Sequence, residues 1–433
     1  MSPELTGVVG VILLLALFLL RMQIGISMLL VGFLGYLYLV NLSAALSLLG
    51  MVPYATAGYY GFSVIPMFIL MGMFLSQGGL GQDVFRAVDA WLRHLRGGMA
   101  MATIGACAAF AAVSGSATAT AATIGAVALP EMRRYGYADS MSTACVAVGG
   151  TLGILIPPST VLILYGILVE LPIDKLLIAG ILPGILMALL LMVTVYIQVR
   201  RNPQLAPTQM EMTLRQKAGS LIPVWPVIVI FLLVMGGIYL GWFTPTEAAA
   251  GGAFIALVFS MVSRRFNRKV LLGSLDQTAR TTAMLFLILI GAIVFSRFLA
   301  VTRIPFQLSE LIAGMAVSRY LIMALILSIL LILGCFIEGL SLMVLTIPIL
   351  YPLVTSLGFD GIWFGVVLVV MLNIGMVTPP VGINVYVTAG VAKDVPLMVI
   401  FRGVLPLWFA MMACVILLVV FPQIVMFLPN LMN

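Results

Sequence analysis

A proline doublet occurs twice in this chain, each time within an apolar segment long enough to cross a lipid bilayer. Pro157-Pro158 is followed 222 residues later by Pro379-Pro380, and Gly153 is matched by Gly375 at the same offset. Proline lacks a backbone N–H and clashes with the preceding turn, so two in succession end a helix. Within hydrocarbon, the carbonyls freed by such a break are costly unless they bind something or line a cavity. Equivalent breaks in two halves therefore predict a membrane transport protein whose binding site lies at the breaks.

The composition supports the membrane assignment. Hydrophobic residues make up 63% of the 433 residues and charged residues only 8%, which lies outside the range of soluble domains. Apolar stretches long enough to span a bilayer as helices recur from one end of the chain to the other. We therefore expect an all-α polytopic membrane protein with about ten crossings, two re-entrant helical hairpins and two broken helices.

The positive charge of the chain follows membrane topology and does not indicate a nucleic-acid partner. Most of the 21 Lys and Arg residues lie in short connections that fall on one side of the predicted spans. By the positive-inside rule, that side is the cytoplasm. This distribution predicts that both termini lie on the outer face, which is the periplasmic face in a bacterial inner membrane.

The order of predicted segments in the first half returns in the second half. Each half has an odd number of predicted crossings, so the two halves are expected to be repeats of inverted topology. The first repeat is 1–200, with scaffold helices in 1–98 and a hairpin and broken helix in 99–170. A polar linker covers 201–220. The second repeat is 221–433, with scaffold helices in 221–318, a hairpin and broken helix in 319–390 and a final helix in 396–430.

The residue types that carry most enzyme chemistry are sparse. The only histidine is His94, within a short amphipathic stretch at 83–97, and a second amphipathic stretch is expected at 304–317. The cysteines occur singly in apolar runs, with no CxxC spacing, at Cys107, Cys145, Cys335 and Cys414. We therefore expect no enzyme activity, no organic cofactor and no zinc site.

Each predicted hairpin has a polar tip that precedes a broken helix. The first tip is Ser114–Thr120 and its broken segment is Gly149–Ser159; the second pair is Gly334–Ser341 and Asn373–Pro380. Loose carbonyls and Ser or Thr hydroxyls suit a hard cation such as Na⁺, and half-helix N-termini suit a carboxylate. The sequence thus predicts an ion and anion site between tips and breaks.

Individual polar residues have structural or functional interpretations. Glu338 lies at the second tip, where a carboxyl is costly, and is a candidate gating or coupling residue; a tip facing an aqueous cavity explains it equally well. Thr244 and Glu247 fit a capping box, and Asp139 and Asp360 are expected to cap the two broken helices.

Several motifs together resemble the large membrane subunit of the tripartite ATP-independent periplasmic (TRAP) transporters. They occur in the order and spacing of that family over essentially the whole chain. They are Ser114-Gly115-Ser116-Ala117-Thr118-Ala119, Ile156-Pro157-Pro158-Ser159, Thr244-Pro245-Thr246-Glu247-Ala248-Ala249-Ala250 and Thr378-Pro379-Pro380-Val381-Gly382-Ile383-Asn384.

The resemblance implies a secondary transporter driven by two or more co-transported Na⁺ ions. It implies an elevator mechanism, in which hairpins and broken helices move as a block against a scaffold. The implied partners are a small membrane subunit of about four helices, a periplasmic binding protein that delivers a small organic acid, and the surrounding lipid. An ion or solute channel with re-entrant filter segments is the alternative.

The resemblance also implies roles for individual residues. A first Na⁺ site would be formed by Ser114, Ser116, Gly153, Ile156 and Pro158. A second Na⁺ site would be formed by Gly334, Gly375, Thr378 and Val381. Substrate would lie between the tips, near Ser116, Ser159, Asn373 and Asn384.

Overall fold

A computed structural model describes residues 2–20, 22–207, 212–263, 266–304, 306–307, 310 and 317–432. Every regular element in these ranges is helical. Helices α1 to α11 cover Pro3–Leu19, Ile24–Leu39, Leu42–Gly58, Val64–Gln77, Leu80–Leu92, Gly98–Ser114, Ala117–Arg134, Asp139–Thr151, Thr160–Leu168, Ile173–Ala179 and Ile181–Arg201. Helices α12 to α21 cover Leu214–Leu221, Trp225–Tyr239, Pro245–Val262, Arg268–Thr302, Arg319–Gly334, Gly339–Ser356, Gly361–Gly375, Ile383–Ala392, Leu397–Val420 and Gln423–Asn430. Parts of the expected linker and most of the amphipathic stretch at 304–317 lie outside the described residues.

Seven helical stretches in the described part of the chain are long and apolar enough to cross a bilayer. Seven further apolar helices have 10–17 residues, and they include α6, α16, α18 and α19 of the hairpins and broken helices. Large apolar side chains such as Ile12, Phe254 and Leu325 are more than 60% exposed on the helix surfaces. Such surfaces suit contact with lipid rather than water.

Both predicted helix breaks are present, and both lie at the proline doublets. Helix α8 ends at Thr151, a short 3₁₀ turn covers Leu152–Ile154, and α9 starts at Thr160. Helix α18 ends at Gly375 and α19 starts at Ile383, after Gly382 in a left-handed conformation with φ of 58°. Each doublet contains a cis peptide bond. The hairpins α6–α7 and α16–α17 precede the two broken helices as expected.

Some boundaries differ from the sequence expectation. Helix α3, Leu42–Gly58, was not expected; it leads through a 3₁₀ turn at Tyr60–Ser63 into α4. Its counterpart region in the second half is one continuous helix, α15, whose 35 residues span about 52 Å at 1.5 Å per residue. The stretch 396–430, expected as one helix, forms α20 and α21, because Pro422 follows the end of α20.

Helix caps explain several starts. Thr244 and Glu247 form the expected capping box at the start of α14. Asp360 caps α18 by accepting the backbone N–H groups of Ile362 and Trp363 at 2.8 and 3.0 Å. The cap predicted for Asp139 is wrong: Asp139 is the first residue of α8, and its carboxylate accepts from Arg133 at 2.9 Å instead.

Helices α2 and α15 pack by close backbone approach. A Cβ at Gly25 would lie 2.7 Å from the carbonyl oxygen of Leu287, and one at Gly32 would lie 2.8 Å from the Cα of Phe295. Small residues allow this approach in membrane helices, where the hydrophobic effect does not drive helices together. The pair therefore forms a closely packed part of the expected scaffold.

Candidate functional site

The first hairpin tip is organised by hydroxyl groups. Ser116 is the N-cap of α7, and its Oγ accepts the Ala119 N–H at 3.4 Å. The Thr120 hydroxyl donates to the Ser116 carbonyl at 2.8 Å, and its oxygen lies 2.6 Å from Ser114 Oγ. Several oxygen atoms therefore converge within one turn of backbone.

This tip contacts the first break directly. A Cβ at Gly153 would overlap the Ser116 carbonyl oxygen, and one at Gly115 would lie 2.9 Å from the carbonyl oxygen of Pro158. The Thr160 hydroxyl donates to the Gly115 carbonyl at 2.8 Å. Residues 151–159 are all buried. The tip and the break thus form one closed, oxygen-rich cluster.

Of the predicted first-site residues, Ser114, Ser116, Gly153 and Pro158 are brought together by these contacts. Ile156 lies in the same break, but its side chain points to α11, where a Cβ at Gly184 would lie 2.5 Å from Ile156 Cγ1. The side chain of Ile156 therefore contributes packing, and only its backbone could contribute an oxygen.

The second tip and break meet through two glycines. A Cβ at Gly375 would lie 2.7 Å from the Cα of Gly334 and 2.9 Å from its carbonyl oxygen. The N–H of Gly382 donates to the Cys335 carbonyl at 3.4 Å, which joins the far side of the break to the same tip. Val381 is half-buried between these contacts, while Pro379 and Pro380 are exposed. The second break is thus more open than the first.

Thr378 supplies a side-chain oxygen at the second break. Its hydroxyl donates to the Ile374 carbonyl at 2.6 Å and accepts the indole N–H of Trp408 at 2.9 Å. Trp408 lies on α20, 30 residues away. All four predicted second-site residues therefore lie in or beside one junction of tip and break.

The chemistry available at both junctions is that of uncharged oxygen donors. Backbone carbonyls, the Ser114 and Ser116 hydroxyls and the Thr378 hydroxyl are ligands that suit hard cations. Among the residues that the structure describes, no three His, Cys, Asp or Glu side chains form a metal-binding group. The donor set fits Na⁺, the ion implied by the sequence motifs.

The four predicted substrate residues have different surroundings. Ser159 is fully buried and caps α9; its hydroxyl donates to the Ile154 carbonyl at 2.5 Å and accepts from Leu162 N–H at 3.2 Å. Asn384 is also buried, and its Nδ2 donates to the Ala147 carbonyl of α8 at 3.1 Å. Ser159 thus has a structural role, and Asn384 joins the second half to the first.

Asn373 has the most unusual surroundings of the four. Its side chain is fully buried at the end of α18, and neither its Nδ2 nor its Oδ1 has a partner among the described residues; the Asn384 Oδ1 also lacks one. A buried amide without partners costs free energy. Asn373 is therefore the predicted substrate residue with most unused hydrogen-bonding capacity.

Glu338 lies at the second tip, as the sequence predicted. It precedes α17, its side chain is exposed on the surface of the chain, and its Oε2 accepts the Ser341 hydroxyl at 3.0 Å. Two nearby tip residues, Phe336 and Ile337, are exposed and half-buried respectively. The carboxylate is thus positioned by its own helix and open to a partner.

The sequence reasoning placed Thr120 in the first tip without assigning it to the ion site, and it missed Thr160 and Trp408 as parts of these junctions. Thr120 lies four residues after Ser116, which is the spacing of one helical turn. Had the start of α7 been predicted at Ala117, the hydrogen bond from the Thr120 hydroxyl to the Ser116 carbonyl could have been predicted as well. Thr160 directly follows the cap of α9. Trp408 has no local signal, because its partner belongs to another helix.

The fold and the two junctions define the class of the protein: a helical membrane transport protein with paired hairpins and broken helices. The sequence profile of the tripartite ATP-independent periplasmic transporter, DctM component, matches residues 11–424. The chain therefore belongs to this family, the large permease subunits of TRAP transporters, and is a multi-pass integral membrane protein.

Individual relatives agree with this assignment. The C4-dicarboxylate TRAP transporter large permease protein of Pseudomonas aeruginosa is 35% identical over 378 residues, covering 87% of this chain and 88% of the relative. The isethionate TRAP transporter permease protein of Oleidesulfovibrio alaskensis is 37% identical over 367 residues, covering 84% of this chain and 57% of the relative. The solved structure of the Alcanivorax borkumensis YdaH transporter has a TM-score of 0.60 at 15% identity and covers 98% of both chains, a likeness of fold.

Proposed function

We propose that this chain is the large membrane subunit of a Na⁺-driven TRAP transporter that imports a small organic acid across the bacterial inner membrane. The observation that carries the proposal is the direct contact of a hairpin tip with a helix break in each half, at Ser116–Gly153 and at Gly334–Gly375. Each contact gathers uncharged oxygens around a break in hydrocarbon, which is the arrangement that secondary transporters use for ions.

The two halves act as inverted repeats with boundaries at 1–200 and 221–433. Their support is the common offset of 222 residues between Asp139 and Gly361, the first residues of the two broken helices, and the proline doublets at the same offset. With an odd number of crossings per half, the repeats have opposite orientations and both termini are periplasmic. The hairpins and broken helices then move together as an elevator block against α1–α4 and α13–α15.

The substrate is a small acid that a periplasmic binding protein delivers, and a separate or fused small membrane subunit completes the complex. Support comes from the relatives, whose names carry C4-dicarboxylate and isethionate. Asn373 and Asn384 lie beside the breaks with unpaired amide atoms that could hold such a ligand. Two Na⁺ ions entering across 100 mV and a tenfold gradient supply roughly 7 kcal/mol for uptake.

Uptake by the complete complex tests this function. Cells that express the chain with its small subunit and binding protein are given radiolabelled succinate or isethionate in NaCl or in KCl of equal concentration. Saturable uptake is expected only with Na⁺ and with the binding protein. Substrate flux that depends neither on Na⁺ nor on the binding protein would identify a channel and contradict the proposed transporter function.

The Ser116→Ala variant tests the first ion site. Because a hydrogen bond or ligand to a charge contributes about 1.5–3 kcal/mol, Na⁺-dependent uptake at limiting Na⁺ is expected to fall about tenfold or more. Ser318→Ala is the matched control, since Ser318 also caps a hairpin helix, α16, but lies away from the breaks. If both variants lose Na⁺-dependent uptake equally, Ser116 acts only as a helix cap and not as an ion ligand.

A further inference from the structure

Helix α20 contacts both broken helices. A Cβ at Gly403 would overlap the Ser140 carbonyl oxygen of α8, and the ring of Phe401 lies 3.1 Å from the Cβ position of Gly382. Two turns further along, Trp408 donates its indole N–H to the Thr378 hydroxyl. One helix therefore holds the second break in addition to the hairpin tip.

The hydrogen bonds of Thr378 leave one acceptor position. A hydroxyl has one proton and two lone pairs. The proton is directed to the Ile374 carbonyl and one lone pair accepts from Trp408 Nε1. A single lone pair remains, and its direction is set because the other two positions are occupied.

The equivalent place in the first half is built differently. At the offset of 222, Thr378 corresponds to Ile156 and Trp408 corresponds to Leu186 of α11. There the contact between break and helix is apolar, with Ile156 packed against Gly184. The indole–hydroxyl hydrogen bond is thus a feature of the second break that its counterpart lacks.

We propose that Trp408 is a positioning residue for the second Na⁺ site, which it serves by fixing the Thr378 hydroxyl and the loop that carries it. This inference rests on the proposed function, because it assumes that Thr378 binds an ion. Thr378 lies beyond the end of α18, in a turn where its backbone N–H donates to the Gly375 carbonyl at 3.1 Å. The indole on α20 adds a restraint on the Thr378 side chain, so the free lone pair keeps one direction and the ion meets an ordered ligand.

The test is binding of ²²Na⁺ to the purified full chain in lipid nanodiscs, measured by scintillation proximity. Trp408→Phe is expected to weaken Na⁺ binding about three- to tenfold, the effect of one net hydrogen bond, and only in one component of the curve. Replacement of Trp408 with 3-benzothienylalanine keeps the ring but lacks the N–H, and it should have the same effect. That variant also decides the question if Trp408→Phe folds poorly.

Trp363→Phe is the matched control. Trp363 Nε1 donates to the Leu418 carbonyl of the same helix α20, also at 2.9 Å, so its loss removes an equivalent bond away from the break. Na⁺ affinity should change less than twofold. Thr378→Val should weaken binding at least as much as Trp408→Phe, and the double variant should be no weaker than Thr378→Val alone, because Trp408 acts through Thr378.

The outcomes separate this inference from the proposed function. If the wild-type chain shows no saturable Na⁺ binding, or Thr378→Val does not change it, the second ion site itself is overturned. Only the role of Trp408 is overturned in two cases. In the first, Thr378→Val weakens binding while both Trp408 replacements do not. In the second, the effects of the Thr378 and Trp408 substitutions add in the double variant.

Discussion

At the scale of single residues, the junctions depend on the absence of side-chain atoms. Gly334 and Gly375 touch backbone to backbone, and Gly153 lies against the Ser116 carbonyl. A Cβ at Gly153 or Gly375 would force the tip and the break apart, and one at Gly334 would lie 3.1 Å from the Gly375 Cα. The glycines therefore determine how closely the backbone oxygens of tip and break approach.

Gly375→Ala tests this dependence on spacing. The added Cβ would lie 2.7 Å from a backbone atom of Gly334, so one helix must shift. Na⁺-dependent uptake is expected to fall at least tenfold, with the protein still in the membrane. Gly390→Ala in α19, where a Cβ meets nothing within 4 Å, should retain uptake. Normal uptake by Gly375→Ala would show that the second junction is not functional.

Much of the site could be predicted from the sequence because its residues are local. Pro157-Pro158 and Pro379-Pro380 interrupt the two helices, because proline cannot continue a helix. The first tip contacts the break that follows it in the chain, through Ser116 and Gly153. Trp408 could not be predicted, because its bond to Thr378 depends on how α20 crosses α18. The unpaired amide of Asn373 is equally a property of packing.

At the scale of the helices, the two halves share an order of elements but differ in their ends. Asp360 caps α18 with two backbone hydrogen bonds, whereas Asp139 is the first residue of α8, one position beyond the equivalent of Asp360, and binds Arg133. Residue type alone did not separate these outcomes, since an aspartate at a helix start suits either role. Helix α3 was missed because Gly50, Pro53 and Gly58 have low helix propensity; Asn41 caps its start, and its buried residues are Ala45 and Thr56.

Asp360→Ala is expected to lower the free energy of unfolding by about 1 kcal/mol, because two N–H groups at the start of α18 lose their acceptor. Unfolding in mixed SDS micelles measures this change. Asp360→Asn keeps an acceptor oxygen and should lose only a few tenths of that amount. A loss for Asn as large as that for Ala would show that charge, and not capping, is the source of stability.

At the scale of the whole molecule, one arginine joins the two halves. Arg133 at the end of α7 binds Asp139 of α8 at 2.9 Å, the Ala392 carbonyl at the end of α19 at 3.4 Å and Asp394 at 3.7 Å. With the bond from Asn384 to Ala147 of α8, these contacts fasten the second broken helix to the first hairpin and to the first broken helix. Such links would make both junctions move as one block.

Arg133→Ala is therefore expected to slow uptake about two- to fivefold, the range for partly exposed ion pairs of up to about 1 kcal/mol, with Na⁺ affinity unchanged. Initial rates at saturating Na⁺ measure it. Arg133→Lys should restore little, because one ammonium cannot match the planar fork that reaches three partners. Arg134→Ala is the control, as that side chain lies over the Tyr135 ring instead. If Arg133→Ala and Arg134→Ala slow uptake equally, the contacts of Arg133 do not couple the two halves.

The glycine contacts of the two junctions also affect how the results of scanning mutagenesis on this protein are interpreted. An alanine scan asks what is lost when a side chain is trimmed, and at Ile156 or Val381 trimming leaves every carbonyl in place. At Gly153, Gly334 and Gly375 the same scan adds an atom, so a strong phenotype there reports crowding and not a missing group. The scan would thus miss any role of a backbone carbonyl, and it would be most sensitive at the glycines, where an added Cβ has no space.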